Sequence, residues 1–266
     1  MLNSIPKIPV GSWVDAIVEW AIINLKPLFN IINLIIDTMV SGFRDGLLAI
    51  PPLILIIVIM GVVWFIASSR IAIGTAIGLL FIHNLQLWAP AIETLALILS
   101  GTIMALVIGL PIGILAASNN TINKIVMPVL DFMQTMPPFV YLIPAVFFFG
   151  IGNVPGLIAT VVFAMPPAIR LTALGIRQVP EELIEAANAF GSTRWQKLFK
   201  IQLPLALPTI MAGINQVIML SLSMVVIAAM IGAGGLGATV LRGIQRLDIA
   251  MGFEGGLAIV ITAIIL

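Results

Sequence analysis

The sequence predicts an all-α, polytopic membrane protein, and three observations carry that prediction. Of its 266 residues, 61% are hydrophobic and 9% charged, where a soluble domain has about 25% charged and about 45–50% apolar residues. Mean hydropathy is +1.21. The apolar residues fall into runs near the roughly 20 residues that a helix needs to cross a bilayer. Where polar residues do recur, over 12–49, they do so at three-, four- and seven-residue steps, the period of a helix face.

Composition also excludes functions. A formal charge of +1 argues against a broad basic surface for nucleic acid. The absence of cysteine removes disulfides, thiolate metal sites and cysteine nucleophiles. A lone histidine, His83, supports neither a multi-histidine metal site nor a Ser/His/Asp arrangement. No G-x-x-x-x-G-K-[ST] occurs, so if ATP drives this protein, another polypeptide binds it. The chain itself is expected to be no enzyme and to hold no metal or cofactor. Its first twelve residues lack the basic-then-apolar order of a cleaved signal peptide. It ends within an apolar run, 257–266, too short to span, so the sequence is expected to stop inside a membrane helix.

Residues 1–50 form the first region. Asp15, Glu19, Lys26, Asn30, Asn33, Asp37, Ser41 and Arg44 make one polar stripe. Val14, Val18, Ile22, Phe29, Ile36 and Val40 lie on the other faces. Such a helix lies in the membrane interface, or packs on others, more naturally than it spans. Pro27 should kink or split it, and Trp13 and Trp20 suit the headgroup level.

Residues 51–266 form the membrane domain, read as seven apolar segments near 51–67, 71–87, 90–116, 125–149, 155–178, 205–231 and from 255 onward. The first two are short. A polar loop, 179–204, separates the fifth from the sixth. If that loop is cytoplasmic, alternation places Arg70, Lys124, Arg177, Arg194, Lys197 and Lys200 inside, as the positive-inside tendency requires. Arg242 and Arg246 then stand outside as the exception, and the N-terminal helix also lies outside.

Within the membrane, Met136-Pro137-Pro138 and Met165-Pro166-Pro167 should each break or kink their helix. The breaks wall a pathway or simply shape the packing. Asp131 and Arg170 lie at similar depth from the inner side, and intramembrane charges usually pair. They are expected to form an ion pair, as a gate element or as a fixed structural tie. Glu93, Ser100, Thr102, Asn215, Gln216, Ser221 and Ser223 are polar groups at membrane depth. They bond helix to helix or line a pathway that Gln134, Thr135 and Tyr141 could join. Phe147-Phe148-Phe149 reads as lipid contact or packing, since three successive residues do not share a face for a cation cage. Gly232 to Gly237 fits G-x-G-x-x-G literally but follows a membrane helix. It is read as a tight reversal before a short amphipathic or re-entrant piece near 238–250.

The polar loop carries the most specific pattern. Glu185, Ala186, Ala187 and Gly191 are followed after nine residues by Ile201, Leu203 and Pro204. This E-A-A-x3-G-x9-I-x-L-P order resembles the cytoplasmic loop of bacterial ABC-importer permeases. Further stretches are similar to the permeases of glycine betaine and related osmoprotectant importers. They are Asp131 to Pro137, Tyr141 to Ala145, Gly150 to Gly156, Leu174 to Pro180 and Ile218 to Val226. The resemblance covers about 90 to 266 well and the N-terminus more loosely.

That resemblance implies a type I ABC importer permease fold in the cell membrane, paired as a homodimer. It implies two cytoplasmic ATPase subunits that bind ATP and Mg, and an extracellular substrate-binding protein or domain. Glu185, Ala186, Ala187, Gly191, Arg194, Ile201, Leu203 and Pro204 would couple the permease to the ATPase through a short docking helix at 183–195. A permease for another small solute, such as an amino acid, or a secondary transporter without an ATPase are the alternatives.

Overall fold

Helices account for nearly all of the residues that the computed structural model describes, 10–266, and no strand occurs among them. The stretch 1–9, most of the N-terminus read above as unlike a signal peptide, lies outside the described residues, as do the side chains of Val10 and Val14.

Helix α1 (Val10–Asn24) and helix α2 (Lys26–Leu48) meet at a 76° bend. Pro27 sits in the first turn of α2, where its missing N–H and fixed φ suit a helix start. The apolar face of α2 buries Ile36 and Val40 against the main core. At one end, Phe29 stacks on Phe148 with ring centroids 4.8 Å apart and meets Phe149 edge-on at 5.4 Å. At the other, Leu47 joins Leu55, Trp88 and Ile92. The two ends of α2 therefore touch the C-terminal end of the helix Pro138–Phe149 and the N-terminal ends of the helices Pro52–Ile66 and Trp88–Ser118, as for a helix lying across them. Phe148 and Phe149 are packing for the N-terminal region, while Phe147 is exposed.

Helices α3 (Pro52–Ile66) and α4 (Ser69–Asn84) form a hairpin capped by Ser68, whose Oγ accepts from Ile71 N–H. With 15 and 16 residues they are about 22–24 Å long, short of the roughly 30 Å hydrocarbon core. Three described helices are long and apolar enough to cross alone. They are α5 (Trp88–Ser118), α8 (Asn153–Arg177), and a continuous run from Arg194 to Ala229.

The expected fourth span is two helices, α6 (Asn120–Thr135) and α7 (Pro138–Phe149), bent by 98° at Met136-Pro137. Tyr141 Oη donates to the carbonyl of Met133, satisfying one of the acceptors that the end of α6 leaves open. The second Met-Pro-Pro behaves differently, and the expected break at Pro166-Pro167 does not occur: α8 continues through both. Pro166 and Pro167 are buried, in a helix held between α5 and the sixth span. Packed neighbours support a helix that would otherwise break there. Pro137 is exposed and starts a new helix.

Helix α8 is the centre of the molecule, with its most extensive contacts to the sixth span and to α5. Small residues permit the approach. A Cβ at Gly113 would fall 2.7 Å from Thr172 Cβ, and one at Gly175 would fall 2.9 Å from Thr209 Cβ.

Candidate functional site

The polar loop begins at Pro180 and forms helix α9 (Glu181–Ala189). Glu181 and Glu182 lie in its first turn, where they complement the N-terminal end of the helix dipole. Its C-terminus closes on Gly191, at φ +71°. Phe190 N–H donates to Ala186 O at 3.1 Å and Ser192 N–H to Ala187 O at 2.9 Å, a left-handed helix end that favours glycine. Thr193 then starts helix α10 (Arg194–Lys197) with a capping box. Thr193 N–H donates to Gln196 Oε1 at 2.8 Å, and Gln196 N–H to Thr193 Oγ1 at 3.3 Å.

Helix α10 does not stop at the membrane. It passes through a π-turn, Leu198–Gln202, into helix α11 (Leu203–Ala229), the sixth span. Pro204 is the reason for the wide turn. It has no N–H to donate, and its ring would collide with the carbonyl four residues back in a regular helix. The docking helix expected at 183–195 is therefore two helices. Glu185, Ala186 and Ala187 lie on α9. Gly191 makes the turn. Arg194, Ile201, Leu203 and Pro204 belong to the inner extension of the sixth span.

Of these residues, Glu185, Ala186, Gly191 and Arg194 are exposed and Ala187 is buried. Lys197 Nζ donates to Asn188 Oδ1 at 2.5 Å, which ties α10 to α9. Exposed aromatics stand beside them, Phe190 at 90%, and Trp195 stacked on Phe199 with centroids 5.8 Å apart. The sequence signal for this pair is two aromatics four residues apart in a polar stretch. A cleft of about 620 Å³ between α9–α10 and the inner ends of α5 and α8 is lined by Ile114, Ser118, Ile176, Arg194, Trp195 and Lys197, among others.

Two arginines tie the inner half together. Arg170 Nη2 stands 2.6 Å from Asp131 Oδ1, joining α8 to α6. Arg177 Nη2 donates to Ala116 O at 2.8 Å and to Asn120 Oδ1 at 3.0 Å. It closes an open carbonyl at the end of α5, a role that its position in the sequence does not disclose.

The remaining polar residues separate into two sets. Asn215 and Ser223 are exposed on one stripe of α11, four-residue steps apart through Met219, and Ser223 Oγ donates to Met219 O at 3.0 Å. Gln134 and Thr135 are exposed at the α6–α7 bend. Ser221 does not share the stripe. It is buried, with its Oγ unpaired, beside a small cavity of about 20 Å³ shared with Thr160 and Gly156 of α8. Tyr141 is buried at the bend. Ser100, Thr102 and Thr172 are also buried.

At the C-terminal end of α11, the glycine run leads into helix α12 (Leu236–Arg246), followed by helix α13 (Ile249–Ile265). The run follows a helix, and no strand precedes it. Glu93 lies against this turn, accepting from Gly235 N–H at 2.9 Å and from the Asn153 amide at 3.2 Å.

A sharply bent helix pair, a tightly packed three-helix centre and a polar helix pair running into a long apolar helix are the features to set beside known membrane proteins. Residues 109–266 match the family of binding-protein-dependent transport system inner membrane components. The chain belongs to that family and is a multi-pass cell-membrane protein. Membership brings ATPase partners and a paired membrane subunit, and it removes the secondary-transporter alternative. The chain is 53% identical over 269 residues to the glycine betaine/carnitine transport permease protein GbuB of Listeria monocytogenes, covering 100% of this chain and 95% of that one. It is 51% identical over 265 residues to the glycine betaine transport system permease protein OpuAB of Bacillus subtilis, covering 100% and 94%. Among solved structures, an inward-facing form of the MetNI methionine ABC transporter superposes with a TM-score of 0.60 at 25% identity, covering 66% of this chain and 89% of that one.

Proposed function

We propose that two copies of this chain form the translocation pathway for glycine betaine or a related compatible solute. Two cytoplasmic ATPase subunits, which bind ATP and Mg, drive it, and an extracellular substrate-binding protein or domain delivers the solute. The observation that carries the substrate class is the likeness of about half of all residues, over the whole chain, to glycine betaine permeases. The methionine transporter is less alike and supports the fold rather than the solute.

In this reading α9 docks on the ATPase, and the exposed stripe of α11 with Asn215 and Ser223 is the pathway wall. Amide and hydroxyl groups suit a zwitterion that must be released, since a buried charge would hold an opposite charge firmly or stand unpaired at a cost of several kcal/mol. The test is uptake of labelled glycine betaine by vesicles holding the whole transporter, with carnitine, choline, proline and methionine as competitors. Competition by the quaternary ammonium compounds and none by methionine is expected. Preferential competition by methionine would assign the chain to amino-acid import.

A further inference from the structure

The outer turn of the molecule is held by a carboxylate from a helix far away in sequence. Glu93 Oε2 accepts from Gly235 N–H at 2.9 Å, and Oε1 from Asn153 Nδ2 at 3.2 Å. Asn153, the first residue of α8, turns its Oδ1 to Gly234 N–H at 2.8 Å. Thr94 Oγ1 accepts from Leu236 N–H at 2.8 Å, and Gly152 N–H donates to Ile231 O at 2.9 Å. Every one of these bonds joins the α11–α12 turn to the outer end of α5 or α8, or those two ends to each other.

The glycines exist to permit the contact. A Cβ at Gly234 would overlap the Glu93 carboxylate, and one at Gly235 the Thr94 hydroxyl. The carboxylate lies at the start of α12, where a helix N-terminus favours negative charge, and bonds of this charge-assisted kind are the strong ones.

We propose that Glu93 is a positioning residue for transport. It locks the outer end of α11 to α5 and α8, so that these three outer ends move as one body when the inner loop is driven. The proposal rests on reading α11 as a pathway wall. Without the lock, α11 would yield at its outer turn. Motion delivered from the inside would be dissipated there, and ATP would be hydrolysed without delivery of solute.

The network has a polarity that permits a specific test. Glu93→Gln sets an amide donor against the Asn153 amide donor. Asn153→Asp sets two carboxylates against each other. Combining Glu93→Gln with Asn153→Asp moves the carboxylate across the pair. The carboxylate at position 153 would then accept from the amide at position 93 and from Gly234 N–H. The amide oxygen at position 93 would accept from Gly235 N–H.

In vesicles holding the whole transporter and fed glycine betaine, ATP hydrolysed per solute imported should rise about threefold or more in each single variant, on the usual strength of a charge-assisted hydrogen bond. It should return to near the wild-type ratio in the double variant. A double variant no better than the worse single would overturn the proposal. So would single variants that lower only yield or thermal stability and leave the ratio unchanged.

Amide exchange in the wild-type transporter at 234–236, the amides that Asn153, Glu93 and Thr94 accept from, needs neither variant nor solute. It should stay slow with and without ATP, and fast exchange in either condition would also overturn the lock. A wild-type transporter that moves no glycine betaine would instead count against the substrate reading, and the exchange result would stand apart from it.

Discussion

At the scale of the residue, Gly191 shows how the structure adds to the reason for an expectation. Its place in the loop pattern suggests that a bulky residue there would push the loop off its ATPase partner. Within this chain nothing lies near the glycine, so a docking contact there has room, and its φ of +71° supplies a second reason. That conformation costs a β-branched residue about 1–2 kcal/mol, whereas asparagine tolerates it. Gly191→Val should therefore reduce solute-stimulated ATP hydrolysis and uptake at normal membrane levels, and Gly191→Asn should keep both. Equal loss in the two variants would place the requirement on size instead.

Ser221 and Ser223 make the same point about legibility. Close in sequence and alike in chemistry, they group together as pathway candidates, but residues two apart in a helix are turned by about 200° at 3.6 residues per turn. The structure places Ser221 inside and Ser223 on the exposed stripe. Ser221→Ala should leave uptake within about twofold of wild type, because the buried hydroxyl has no protein partner to lose. Asn215→Leu or Ser223→Leu should lower uptake more than basal ATP hydrolysis. Parallel loss of both activities would mean that these groups only join helices. Depth in the membrane is enough to bring Asp131 and Arg170 onto one level. Nothing local reveals that Glu93 meets a turn 142 positions further along the chain.

Elements are legible where length and period decide, and less so where packing decides. The runs near 90–116 and 155–178 are single helices, as composition requires. The two Met-Pro-Pro triplets are identical as sequence, yet only the first breaks its helix. The difference is burial between two neighbours, which the local sequence does not contain. The π-turn is equally hidden. Pro204 reads as a helix start and does stand in the first turn of α11, but the chain before it is a widened turn that joins α10 to α11 without a break. Pro204→Ala would restore the missing donor and allow a regular α-helix from 194 onward. That would rotate α10 relative to α11 by about a quarter of a turn. Coupling, measured as solute-stimulated over basal ATP hydrolysis, should fall while the thermal midpoint stays level or rises. Unchanged coupling would make the π-turn incidental.

At the scale of the whole molecule, an inner loop, a central helix trio and an outer lock lie along one path. The chain has no cysteine, so single introduced thiols report on it cleanly. Lys26→Cys and Glu182→Cys should react with an impermeant reagent from opposite sides of sealed vesicles, and labelling of both from one side would reject the topology. The central claim is that the helix from Arg194 to Ala229 acts as a lever between two paired copies, carrying ATPase closure to the pathway. Spin labels at Lys200→Cys and, separately, at Ser223→Cys measure the distance between copies at its inner part and at its outer half. On trapping the transporter with ATP, the inner distance should shorten and the outer distance should lengthen in the same preparation. An inner distance that shortens while the outer one stays fixed would contradict the account.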